Sequence, residues 1–191
     1  MISVDSLSRR YGNTLAVDNV SFEIGANEVV GLLGHNGAGK TTIMRMLSGY
    51  LEPSTGSVTV AGVDMAEGAR QVQTTLGYLP EHLPIYPEML VADYLDYVAT
   101  LKGIPRREPQ LLILDEPTNG LDPGQTSQMR DLLRRLARRA TVILSTHIMQ
   151  EVEAVCDRVL VMAAGRLVLD APLADLRKSR TLVLRAGTEE P

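Results

Sequence analysis

The apolar positions of this chain change rhythm several times. Ile2–Ser8, Leu15–Ile24 and Glu28–Leu33 are rich in β-branched and aliphatic residues, with turn signals at Tyr11-Gly12-Asn13 and Gly25-Ala26-Asn27 between them. That pattern predicts three strands. Gly34–Gly39 is a glycine-rich loop, after which Ile43, Met46 and Leu47 share one face of a predicted helix over Lys40–Ser48. Pro53-Ser54-Thr55-Gly56 is a turn, and Ser57–Ala61 and Leu76–Leu79 read as short strands. Val91, Tyr94, Leu95 and Val98 fall at helical spacing and predict a helix over Val91–Leu101. The unbroken apolar run Leu111–Leu114 is what a strand covered on both faces of a parallel sheet requires. Pro123 opens a helix to about Arg139, with Asp122 placed to cap it. Thr141–Thr146 is the next strand and Met149–Cys156 the next helix, and Arg158–Ala163 and Arg166–Leu169 flank the hairpin signal Ala164-Gly165. Pro172–Lys178 reads as a short helix, Thr181–Arg185 as a strand and Gly187–Pro191 as a loose tail.

Strands alternating with helices predict an α/β fold with a mostly parallel sheet, and antiparallel strands at the N-terminal end. Composition narrows the class. The 191 residues suit one domain, or one domain with a small appendage, and 45% hydrophobic with 22% charged residues exclude a disordered or fibrous chain. Nineteen basic against 23 acidic residues give a net charge of −4, which argues against a nucleic-acid binder. A single cysteine, Cys156, builds no internal disulfide and reads as an intracellular, reduced chain. No run reaches the ~18 apolar residues of a membrane span, and Met1-Ile2-Ser3-Val4-Asp5 does not start a signal peptide. Any service to a membrane would run through docking onto another chain. Trp is absent and Phe22 is the single Phe, so the core is expected to be aliphatic.

The chemistry concentrates at two places. Gly34-His35-Asn36-Gly37-Ala38-Gly39-Lys40-Thr41 fits the pattern of Gly, four residues, Gly, Lys and then Ser or Thr, between an apolar strand and a helix. Glycines let successive N–H groups turn inward on phosphate oxygens, and the helix start adds its positive end. Lys40 is placed for the β- and γ-phosphates, and the Thr41 hydroxyl for Mg²⁺. The second place is Asp115-Glu116, at the carboxyl end of the apolar strand, where ligands of open α/β sheets sit. Asp115 is read as a holder of Mg²⁺, directly or through water, and Glu116 as the general base for an attacking water. His147 ends another strand and is read as touching the γ-phosphate. Tyr11 admits two readings, an adenine-stacking ring or a half-buried turn aromatic. The arginines from Arg130 to Arg139 alternate with Leu132, Leu133 and Leu136, which reads as an amphipathic helix with a solvated basic face.

In this order, the motifs resemble the nucleotide-binding domains of the ATP-binding cassette (ABC) family, over about residues 1 to 170. Gly34–Thr42 is similar to the family's Walker A loop. Leu111–Glu116 is similar to its Walker B strand with the catalytic Glu, Asn119-Gly120-Leu121-Asp122 to the loop that crosses to the other subunit, and His147 to its switch histidine. The resemblance assigns Tyr11 to adenine. It implies a P-loop NTPase fold with an N-terminal antiparallel β subdomain, ATP and Mg²⁺ as ligands, and ATP hydrolysis that energises export. The exporters it is similar to are bacterial, of the drug and polysaccharide type. It further implies a membrane permease as partner, paired ATP-binding subunits, and a cytoplasmic place on the inner face of the membrane. Residues 171–191 are then a short C-terminal extension.

Two features depart from the family pattern. Glu81 stands where the family usually has Gln after the Leu76–Leu79 strand; it can still approach Mg²⁺, with added negative charge. The family signature, Leu-Ser-Gly-Gly-Gln or a relative of it, does not occur. Only 34 positions separate Glu81 from Asp115, and the chain passes from Ile104-Pro105-Arg106-Arg107-Glu108 straight into Pro109-Gln110-Leu111. Residues 83–108 are thus a remnant of the family's helical subdomain. Either the gene product is shortened, or the sequence omits a segment of a longer chain. In the family this signature covers the γ-phosphate held by the other subunit, so pairing is doubtful for this chain. Three functions stay in view: a transport ATPase, an ATP-binding module with little or no hydrolysis, and a small P-loop kinase. Asp115-Glu116 with His147 speaks against the kinase, which has no use for an activated water.

Overall fold

The computed structural model of the chain describes residues 1–82, 93, 97 and 109–178. Two sheets form the body. The first is antiparallel, with strand order β2-β1-β4-β5, from β1 (Ile2–Tyr11), β2 (Thr14–Ile24), β4 (Thr55–Val60) and β5 (Val63–Asp64). The second has the order β10-β9-β3-β8-β7-β6. Its strands are β3 (Val29–Leu33), β6 (Leu76–Leu79), β7 (Leu111–Asp115), β8 (Thr141–Thr146), β9 (Arg158–Ala163) and β10 (Arg166–Pro172). All its neighbours are parallel except the β9–β10 hairpin. The helices are α1 (Lys40–Leu47), α2 (Met65–Gln73), α3 (Pro123–Leu136), α4 (Met149–Val155) and α5 (Leu173–Lys178).

The apolar run of β7 divides between two cores. Leu111 and Ile113 join the cluster that also holds Ile43 and Leu47 of α1 and Ile2, Val20 and Phe22 of the antiparallel sheet. Leu112 and Leu114 face the other way, into a cluster with Val142 and Leu144 of β8 and Val152 of α4. Alternate side chains point to opposite faces, so a strand covered on both faces must be apolar at every position. Burial of these aliphatic side chains, each worth about 1.5–3 kcal/mol, holds β7 and β8 inside the sheet, between β6 and β3. The aliphatic core is as the composition suggests, with Phe22 6% exposed within it.

Several details differ from the expectations. Strand β1 runs to Tyr11 rather than Ser8, and β10 to Pro172 rather than Leu169. Helix α3 ends at Leu136, three residues before Arg139. Its apolar face is also narrower: Leu133 is buried, while Leu132 and Leu136 are exposed beside Pro109 and Leu112. The pattern does not predict β5 or α2. Only Met65 and Val72 of α2 are buried, and Gly68 breaks its dihedrals in the middle. Asp64 caps α2 through the Ala66 N–H, and Asp122 and Gln125 close a reciprocal cap at the start of α3. Leu173, past the expected domain boundary, is buried in the second core. The expected helix at Val91–Leu101 lies outside the described residues apart from Asp93 and Tyr97, which are helical; the strand Thr181–Arg185 and the tail Gly187–Pro191 also lie outside them.

Candidate functional site

The loop between β3 and α1 is shaped by its glycines. Gly39, the N-cap of α1, has φ of 99°, a left-handed conformation that L side chains avoid. A Cβ there would stand 2.6 Å from the Ala16 carbonyl oxygen, and one on Gly34 the same distance from the Met162 carbonyl oxygen. No side chain caps α1, so its opening N–H groups, which no helix satisfies internally, are left for a ligand. A cavity of about 440 Å³ opens on this helix start. It is lined by His35, Asn36, Gly37, Gly39, Lys40, Thr41 and Thr42, and by Ala16, Glu81 and Glu116. Sequence positions from 16 to 116 thus meet in one hollow at the carboxyl edge of the parallel sheet.

Lys40 reaches across it. Its Nζ donates to the carbonyl oxygens of Gly34 at 2.7 Å and His35 at 3.3 Å. It also lies 3.3 Å from Oε1 of Glu116, the two side chains being 6% and 8% exposed. The other carboxylate oxygen of Glu116, Oε2, is 3.0 Å from Nδ1 of His147. Glu116 is held in the left-handed region with φ of 49°, a conformation that costs a non-glycine residue about 1–3 kcal/mol. Ser145 restrains it: the Glu116 N–H donates to the Ser145 hydroxyl at 2.9 Å and to its carbonyl at 3.2 Å. The same hydroxyl donates to Oδ1 of Asp115 at 2.5 Å.

Asp115 is 1% exposed, and its Oδ2 has no hydrogen-bond partner among the described residues. A buried carboxylate oxygen left this way is expensive unless a cation takes it. With the Thr41 hydroxyl and Glu81 on the cavity wall it offers the hard oxygen donors that Mg²⁺ prefers, so the residues present fit that ion. Burial, and then the charge of Asp115, push the Tyr78 hydroxyl on neighbouring β6 above its ordinary value.

The structure does not bring every expected residue to the cavity wall. Gly34 and Ala38 shape the loop from behind, Ala38 being buried. Asp115 lies beneath the wall, and His147 joins through Glu116. Tyr11 is 44% exposed at the end of β1, with the Arg9 guanidinium 4.9 Å above its ring, and it does not line the cavity. Two residues escape a reading of the sequence. Ser145 orders Asp115 and Glu116 across a register that pairs Asp115 with Ser145. Glu151, buried on α4, accepts from Thr118 and Thr146; no signal in the sequence separates it from the exposed Glu153 of the same helix.

Known proteins resemble this chain in sequence and in fold. A family model described as ABC transporter matches residues 17–105. A model described as AAA domain, putative AbiEii toxin, Type IV TA system, matches residues 98–153. YxlF of Bacillus subtilis, an uncharacterized ABC transporter ATP-binding protein, is 30% identical over 94% of this chain and 74% of its own length. Nod factor export ATP-binding protein I of Rhizobium meliloti is 36% identical over 88% of this chain, which spans 63% of that relative. A solved ATP-binding subunit of an ABC transporter superposes with a TM-score of 0.81 at 25% identity, covering 93% of this chain and 92% of the other. The alignment with YxlF runs over 222 positions against 191 residues here, so that relative carries residues with no counterpart in this chain.

Proposed function

The chain belongs to the ATP-binding proteins of ABC transporters, which are ATPases, and from this premise we propose that it binds Mg-ATP in the cavity of the Gly34–Thr42 loop to energise export through a partner membrane permease. The observation that carries the proposal is the convergence of the loop, Thr41, Glu81 and Glu116 on one cavity. The loop's N–H groups and Lys40 take the β- and γ-phosphates. Thr41, Asp115 and Glu81 are the residues that would hold Mg²⁺, and the ion, when bound, neutralises charge on the phosphate oxygens. Glu116 accepts a proton from the attacking water as the new O–P bond forms and the bond from the γ-phosphorus to its bridging oxygen breaks, the electron pair leaving with ADP. His147, hydrogen-bonded to Glu116, holds that carboxylate toward the γ-phosphate. Tyr11 is proposed for the adenine ring, lying outside the phosphate cavity at the end of β1. Among the described residues no helix is long and apolar enough to cross a membrane. An export role draws support from the Nod factor relative, and a place on the cytoplasmic face is the corresponding proposal.

A second reading is favoured by one specific observation. The signature is missing from the sequence, and the ABC family match stops at residue 105, beside the place where the signature would follow. Contacts to nucleotide within one chain survive that loss; contacts from a partner's signature do not. On this reading the chain binds ATP and hydrolyses it slowly or not at all. Titration with a fluorescent ATP analogue tests binding, and phosphate release beside transfer to nucleoside acceptors tests the chemistry. Binding with phosphate release supports the first reading and binding alone the second; transfer to an acceptor, or no binding, would overturn both.

A further inference from the structure

Glu151 is a buried carboxylate to which the chemistry above gives no task. It is 6% exposed, on α4, four positions after His147. Its Oε1 accepts the Thr118 hydroxyl at 2.5 Å and its Oε2 the Thr146 hydroxyl at 2.7 Å. Thr146 Oγ1 accepts in turn from the Ile148 N–H at 3.1 Å. Thr118 lies two residues beyond Glu116, and Thr146 directly precedes His147. Strands β7 and β8 are paired as far as Asp115 and Ser145. Beyond that pair the two segments part. One enters turns closed by the bonds Asn119 N–H to Glu116 O and Leu121 N–H to Thr118 O, and the other enters α4. Ladder pairing still holds Glu116, through its N–H on the Ser145 carbonyl, and Thr146, paired with Leu33 of β3, but it does not reach His147. The Glu151 carboxylate spans the two exits, with one oxygen on each.

We propose that Glu151 is a positioning residue, a clamp across the exits of β7 and β8 that holds Nδ1 of His147 against Oε2 of Glu116. Its effect on turnover rests on the hydrolysis reading above; its effect on the Glu116–His147 contact does not. The reach of the side chain matters more than its charge. A glutamine in its place keeps the span, its amide oxygen accepting from one hydroxyl and its amide nitrogen donating to the other, because a hydroxyl can turn to accept. An alanine frees both exits and leaves the buried Thr146 hydroxyl without its acceptor.

The test is the imidazole ¹H–¹⁵N spectrum of the full chain, which has three histidines, His35, His82 and His147. Glu116→Ala supplies the reference for a broken contact. Glu151→Ala should move the His147 signals toward that reference and leave those of His35 and His82 in place, and Glu151→Gln should restore the parent spectrum. In the same proteins Mg-ATP affinity should hold while phosphate release falls by about 10–100-fold in Glu151→Ala, the scale of a misplaced reacting group. Parent-like His147 signals in Glu151→Ala would overturn the clamp, and so would a Glu151→Gln spectrum as disturbed as that of Glu151→Ala. Should Glu151→Ala fail to fold, Thr118→Val removes one arm, and undisturbed His147 signals there would overturn the clamp equally. A parent protein that does not bind ATP would sink the functional reading, while the His147 signals still decide the clamp.

Discussion

Nζ of Lys40 and Oε1 of Glu116 lie 3.3 Å apart in a place where both side chains are almost fully buried. The cation assigned to phosphate and the carboxylate assigned to water thus neutralise each other. In the proposed complex a γ-phosphate would compete with Glu116 for Lys40, so that nucleotide binding would also free the base. Each partner removed singly leaves the other charge buried and unpaired.

Lys40→Ala should therefore abolish Mg-ATP binding and also lower the stability of the protein without nucleotide. Adding Glu116→Gln to it should recover part of that stability, with a coupling of about 0.5–3 kcal/mol for groups in contact. Fluorescent ATP titration and urea unfolding of the four proteins of the cycle measure both effects. Unchanged affinity in folded Lys40→Ala, or strictly additive stability losses, would contradict the pairing.

Glu116→Gln alone should keep ATP binding or tighten it, because the rival of phosphate for Lys40 loses its charge, and should slow phosphate release by about 10²–10⁴-fold, the usual worth of a positioned base. The comparison is made at saturating Mg-ATP. Equal, easily measured turnover in both proteins would remove Glu116 from the role.

Gly39→Ala places a Cβ against the Ala16 carbonyl at a residue whose φ is 99°. The strain, about 1–3 kcal/mol, should lower Tm by roughly 2–4 °C per kcal/mol and weaken ATP binding more than tenfold, since the loop must open to admit the methyl group. Gly12→Ala is the control: Gly12 also has positive φ, yet a Cβ there meets nothing within 4 Å. It should shift Tm and leave ATP affinity alone. Equal effects of the two on affinity would mean that the loop's shape is not what binds phosphate.

Cys156 tests the second core. Burial pushes its thiol from 9.0 up to about 12. The folded protein therefore favours the neutral thiol. Below pH 9 the thiol is neutral in both states and the preference has no effect; between 9 and about 12 the unfolded chain ionises first, and stability falls as pH rises. Urea midpoints should decline faster with alkaline pH in the parent than in Cys156→Ala. Parallel declines would show that the thiol is not desolvated in the folded state.

The phosphate loop and β7 are legible in the sequence because their meaning is local. Glycine spacing dictates a turn, and an unbroken apolar run dictates burial on both faces. Helix α2 is not, because two buried residues and a break at Gly68 leave little periodic signal. Ser145 and Glu151 meet partners 30 and 33 positions away: the parallel register of β7 with β8 brings Asp115 to Ser145, and the turn after β7 and helix α4 bring Thr118 to Glu151. Leu132 and Leu136 look like core residues by spacing, but α3 turns them toward the groove beside Pro109.

The claim that ATP is held by contacts within one chain, with no help from a partner's signature, is the point on which the two readings of the function divide. Sedimentation velocity of Glu116→Gln with a fluorescent ATP analogue and Mg²⁺, followed at the wavelength of the nucleotide, reads both parts at once. That variant traps any nucleotide-bound pair, because hydrolysis does not open it. The nucleotide should sediment with a monomer of 20.8 kDa. Nucleotide in a boundary of twice that mass, or nucleotide that does not sediment with protein at all, would contradict it.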